Sequence, residues 1–140
     1  MWRKDVMNSV FTARAPGKLI LCGEHAVVHG APAVALAVNR FAECRVRMQD
    51  EPVLIIEAPA FCGRQVLDWK AAQVVRERVQ ERHAEFLNGR RAVRTILEHS
   101  GQLLVFAVLS ACMEAPSRGG LFVRVHTELP VGCGMGSSAA

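Results

Sequence analysis

Two stretches of this 140-residue sequence gather residue types that can do chemistry. One closes the chain: Glu128-Leu129-Pro130-Val131-Gly132-Cys133-Gly134-Met135-Gly136-Ser137-Ser138-Ala139-Ala140. Glycines at alternate positions 132, 134 and 136 let the backbone take positive φ and approach a ligand with no Cβ in the way. Successive N–H groups of such a loop can converge on phosphate oxygens. Ser137 or Ser138 is a good N-cap for a helix starting there, and a helix N-terminus favours an anion. A serine hydroxyl at that point can also join the shell of Mg²⁺, which takes hard oxygen donors. Taken alone, the same residues also suit a plain Gly/Ser turn. The loop is not a Walker A loop, because no Lys-Ser or Lys-Thr follows the last glycine, and its spacing is not G-x-G-x-x-G.

The other stretch runs from Ala15 to Gly30, A-P-G-K-L-I-L-C-G-E-H-A-V-V-H-G. It carries Lys18, one of only three Lys in the chain. A lysine that follows a Pro-Gly turn and starts a strand is held by stiff backbone. Its compact charge suits a phosphate or a developing alkoxide. Glu24 and His25 interrupt an otherwise apolar stretch. Buried without partners they would be costly, so polar partners are expected for both, from protein or from ligand.

These residues need elements to position them. Val10 to Ala15 and Leu19 to Cys22 read as strands flanking a turn at Ala15-Pro16-Gly17-Lys18, and His29-Gly30-Ala31-Pro32 as a second turn. Phe41 to Met48 alternates, with Ala42, Cys44, Val46 and Met48 on one face and Glu43, Arg45 and Arg47 on the other. Val53 to Glu57 is the expected partner strand across a turn at Gln49 to Pro52. The period then changes. Leu67, Ala71, Val74, Val75 and Val79 recur at helical spacing, with Arg76, Glu77, Arg78, Glu81 and Arg82 on the water side. Val93, Ile96 and Leu97 mark a short helix, and Leu103 to Met113 a central, buried one. Leu121 to Thr127 alternates again and feeds the glycine loop. The order predicts an α+β fold, a largely antiparallel sheet with helices on one face.

Composition narrows the classes. Just over half of the residues are hydrophobic, enough for a core, and the length is that of one domain. The net charge of +4 comes from 14 Arg and 3 Lys against 13 acidic residues. The basic residues are scattered, no basic run is interleaved with aromatics, and Tyr is absent, so nucleic-acid binding is not expected. The cysteines, Cys22, Cys44, Cys62, Cys112 and Cys133, are odd in number and none are in C-x-x-C spacing. With no apolar signal segment at the start, they read as reduced thiols of a cytoplasmic protein. The longest apolar run is too short to span a bilayer.

Together the two segments resemble the GHMP kinase superfamily, small-molecule kinases that use ATP and Mg²⁺. Residues 15–39 look like the mevalonate kinases within it, and residues 128–140 resemble the superfamily's P-P-G-A-G-L-G-S-S-A motif, with Val131 in place of the second proline and Cys133 in place of the usual small residue. The resemblance implies the ribosomal protein S5 domain 2-like fold of a GHMP kinase N-terminal domain. By position, Lys18 would neutralise charge at the transferring phosphoryl group or the acceptor oxygen. Glu24 and His25 would line the substrate side. Gly132, Cys133, Gly134, Met135, Gly136 and Ser137 would hold the nucleotide phosphates, Ser138 would bind Mg²⁺, and Thr127 would touch the nucleotide. The family's nucleotide-contacting Asn falls near Ala60 and does not carry over. The implied partners are ATP and mevalonate, with neither nucleic acid nor membrane, and a homodimer is allowed for the full-length protein. The family's catalytic Asp and Mg²⁺-binding Glu lie beyond the glycine loop, so these residues read as the N-terminal part of a kinase, inactive by itself. Alternatives are another GHMP kinase acting on a sugar or amino-acid alcohol, and a truncated, non-catalytic binding module.

Overall fold

A computed structural model describes residues 9–112 and 119–130. The elements run β1 (Val10–Cys22), a short 3₁₀ turn (Val27–His29), β2 (Val34–Gln49), β3 (Val53–Ala58), β4 (Gly63–Asp68), α1 (Trp69–Leu87), a second 3₁₀ turn (Val93–Thr95), α2 (Ser100–Ala111) and β5 (Gly120–Thr127). Five strands in the order β1-β2-β5-β3-β4 and two helices make the fold α+β, as the alternation of strand and helix periods predicts. The chain divides into two compact units, one chiefly Val46–Arg124, the other Thr12–Arg45 with the residues from Val125 onward.

In the first unit, β3 does not pair with β2 as the short turn suggested. Its neighbours are β4, antiparallel, and β5, parallel, with Leu54 opposite Leu121 and Ile56 opposite Val123. Parallel pairing needs a crossover, and α1 and α2 supply it. Leu54, Ile56, Leu121 and Val123 are buried with Ala72, Val79, Val105 and Leu109 of the helices. Each such side chain contributes about 1.5–3 kcal/mol by leaving water. α1 starts where Asp68 accepts a hydrogen bond from the Ala71 amide at 2.7 Å, which satisfies one of the helix's orphan donors. Leu67, expected in this helix, belongs to β4 instead. Arg76 and Arg82, expected in water, are half-buried, and Arg82 pairs with Glu98. α2 buries only one stripe, Gly101, Gln102, Val105 and Leu109. Its apolar composition had suggested burial all round, but Leu103 is exposed. The short helix expected at Val93 to Leu97 is the 3₁₀ turn.

β2, most of which belongs to the second unit, is a single strand of 16 residues. Its alternation holds over the far half, where Ala42 is buried while Arg45 is exposed.

Candidate functional site

Lys18 does not follow a turn. β1 runs unbroken from Val10 to Cys22, through Pro16 and Gly17. Proline has no N–H to give a ladder and is tolerated in a strand at a sheet edge, which is where β1 lies. Gly17 is there for closeness. It is buried, and a Cβ built on it would overlap the Leu129 side chain and stand 3.0 Å from Cγ2 of Val38. The missing side chain lets Leu129, itself buried, lie directly on β1. Lys18 follows on the next residue and is exposed. The backbone that carries it is a strand and not the expected turn.

Leu129 leads into the glycine segment, and two hydrogen bonds hold its neighbour Glu128. The Glu128 amide donates to the Phe41 carbonyl at 2.9 Å, and the Phe41 amide donates to Glu128 Oε2 at 3.1 Å. Thr127 Oγ1 accepts from the Leu129 amide at 3.0 Å. This ties down the chain immediately ahead of the glycines against β2, while the Leu129 side chain lies on Gly17 of β1. Sequence reading missed Gly17, Glu128 and Leu129 as positioning residues. The Gly17 signal was present but resembled a turn.

Glu24 and His25 fall in the turn after β1, and both are exposed. They were expected to have polar partners, and among the described residues no hydrogen bond or ion pair is found for either. The turn is closed by the Val27 amide on the Gly23 carbonyl at 2.9 Å. Gly23 has φ of 85°, and a Cβ there would press on the Pro32 carbonyl and Ala33, so only glycine fits twice over. Gly30 ends the 3₁₀ turn in the left-handed region. Lys18, Glu24, His25 and Thr127 all belong to one compact unit. Gly132, Cys133, Gly134, Met135, Gly136, Ser137 and Ser138 lie outside the described residues.

Ala60, which stands where the family's Asn was sought, is exposed in the β3–β4 turn. Among the described residues no group of three or more His, Cys, Asp or Glu converges to hold a metal ion. Cys22, Cys44, Cys62 and Cys112 are free thiols, and burial pushes Cys44, Cys62 and Cys112 up from the ordinary thiol range. No helix among the described residues is long and apolar enough to cross a membrane. What the site offers is a cation on a stiff strand, beside an anchored lead-in to a glycine loop. A lysine so placed can present its compact positive charge to an anion.

No family model matches the chain. It is 32% identical over 136 residues to the mevalonate kinase of Pyrococcus abyssi, an alignment that takes in 96% of this chain and 36% of that one. To the mevalonate kinase of Bos taurus it is 31% identical over 148 residues, covering 96% and 37%. The crystal structure of the Methanococcus jannaschii mevalonate kinase shares the fold, with a TM-score of 0.64 at 19% identity over 94% of this chain and 36% of that one. The chain thus spans about a third of the length of the curated relatives it matches. The class indicated by fold and sequence together is the GHMP kinases. Within that class the chain is a homologue of the mevalonate kinases over nearly all of its own length.

Proposed function

We propose that these residues form the N-terminal, nucleotide-binding part of an ATP-dependent mevalonate kinase, which phosphorylates mevalonate to 5-phosphomevalonate in isoprenoid precursor synthesis in the cytoplasm. One observation carries the reading. Leu129, packed on the side-chain-free Gly17, brings the start of the glycine segment against the strand of Lys18, in a chain homologous to mevalonate kinases. In this reading Lys18 meets charge that develops on the phosphoryl group or acceptor oxygen. Glu24 and His25, exposed and unpaired among the described residues, are available to a small polar substrate. Backbone N–H groups of Gly132 to Ser137 receive the phosphates, and Thr127 touches the nucleotide.

Mg²⁺ enters the proposal through Ser138, whose hydroxyl is a hard donor of the right kind. The described residues supply no cluster of ligands beyond it, so no step is assigned to the metal. Asp68 caps α1 and Asp50 lies in the β2–β3 turn, and neither stands beside Lys18 or the glycine segment in the sequence. The 140-residue chain alone is therefore expected to release no ADP above a no-substrate control, since losing a general base alone costs roughly 10²–10⁴ in rate. The test of substrate class uses a full-length protein carrying these residues. ADP release should depend on mevalonate and not on galactose or homoserine. Faster turnover with the sugar or the amino-acid alcohol would move the protein to another GHMP activity.

A further inference from the structure

In the first unit, α1 and α2 pack on the sheet face that carries Leu54, Ile56, Leu121 and Val123. Side chains alternate along a strand. Ile55, Glu57, Phe122 and Arg124 therefore turn to the opposite face, and the register sets Val66 and Arg64 of β4 beside them.

Two rows of side chains cross that face. One is apolar: Phe122, Ile55 and Val66 stand side by side on β5, β3 and β4. Ile55 is buried as the floor of the strip, while Val66 is 56% exposed. The other row is charged. Arg124 and Arg64 flank Glu57, at 4.0 Å and 3.9 Å. Arg47, near the end of β2, lies over the Phe122 ring, its guanidinium carbon 4.5 Å from the ring centroid. Three exposed guanidinium groups thus border an apolar strip, and Glu57 is the one carboxylate in their row. Asp68, further along β4, is engaged as the cap of α1.

The arginines have donors to spare. A guanidinium carries five N–H donors. Arg64 and Arg124 direct theirs to a single carboxylate over long contacts. Arg47 stacks by its flat face, which leaves its N–H edge to a partner. Aromatic residues and Arg are also what protein interfaces favour over the rest of a surface. The order of charges selects the partner. Arg64 and Arg124 stand two strands apart, about 10 Å, with Glu57 between them. A continuous polyanion laid across them would meet that carboxylate. Separate carboxylates on a protein segment straddle it, and an apolar side chain of the same segment covers Phe122 and Val66.

We propose that this face docks an acidic segment of a partner protein, its carboxylates on Arg47, Arg64 and Arg124 and an apolar side chain on the Phe122–Val66 strip. The contact is small, so the association is weak, reversible and sensitive to salt. The proposal does not rest on the kinase reading.

Fluorescence anisotropy with the 140-residue chain and a labelled Glu-Glu-Leu-Leu-Glu-Glu peptide tests it. Binding should saturate and weaken as salt is raised, and a Lys-Lys-Leu-Leu-Lys-Lys peptide should not bind. Arg47→Gln with Arg64→Gln should lower the affinity by about tenfold, since two charge contacts are lost, while Arg124 stays to pair with Glu57 and the circular dichroism spectrum is unchanged. Glu57→Gln should raise the affinity by about threefold, a gain that a damaged fold would not give. Arg90→Glu, exposed just beyond α1, should leave the binding as it is. No saturable binding of the acidic peptide, an equal loss with Arg90→Glu, or a loss with Glu57→Gln would each overturn the proposal. Inorganic polyphosphate that displaces the peptide more strongly at equal charge would overturn it too, in favour of a phosphate-chain site.

Discussion

At the scale of single residues, the candidate positions stood out by residue type, and the residues that support them did not. Lys18, Glu24 and His25 stand out because they interrupt apolar sequence. Gly17 was read as part of a turn, since Pro-Gly marks turns far more often than the close crossing of two chains. The structure gives Gly17 a cost that can be measured. Gly17→Val should destabilise the fold by about 1–3 kcal/mol, the usual range for overpacking, seen as a lower urea midpoint. An unchanged midpoint would mean that Leu129 can leave β1 freely. In a full-length kinase, Lys18→Met should lower kcat far more than it raises the KM for ATP, because only interactions that strengthen in the transition state change kcat. Near-wild-type kcat with a raised KM would make Lys18 a ground-state binding residue. Glu98 supplies a pH test. Hydrogen bonds from Arg82 and then Gln102 hold its carboxyl below the usual value of 4.5. The unfolded chain therefore binds more protons than the folded one between that depressed value and 4.5. The contribution is present above pH 4.5 and disappears as pH falls through the folded-state value. The difference in urea midpoint between wild type and Glu98→Gln should shrink over that window; a constant difference would rule the linkage out.

At the scale of elements, periodicity found β5, the far half of β2 and both helices. It missed β4, whose six residues include a leucine that also fits the helical repeat of α1. It also paired β3 with its sequence neighbour, because a short turn is the commonest way to join two strands. The parallel β3–β5 ladder depends on residues more than 60 positions apart, Leu54 and Leu121 for example, and no local pattern announces it. The start of α1 is equally a matter of one contact, Asp68 on the Ala71 amide. Asp68→Ala should cost about 0.5–2 kcal/mol of stability, as lost N-caps do, and the loss should appear in thermal unfolding followed by helical ellipticity. A smaller change would show that the β4–α1 junction is held by packing alone, through Trp69 and its indole bond to the Gly119 carbonyl.

At the scale of the whole molecule, several large apolar side chains of β1 and β2 are exposed among the described residues. Leu21 and Leu36 are 56% and 50% exposed, and Phe11, Leu19 and Val34 are exposed as well. Exposed apolar side chains are what hydrophobic dyes bind, so the isolated chain should bind such dyes, and Leu21→Lys with Leu36→Lys should cut that signal without lowering the unfolding temperature. The Phe41–Glu128 pair of hydrogen bonds has a further bearing on affinity. Both bonds join the same two residues, so the pair behaves as a clasp between β2 and the segment that follows β5. A clasp fixes where the glycine segment begins whatever it goes on to bind. The entropy of bringing that starting point to β2 is thus lost when the chain folds, and a ligand that gathers the glycine amides does not have to supply it.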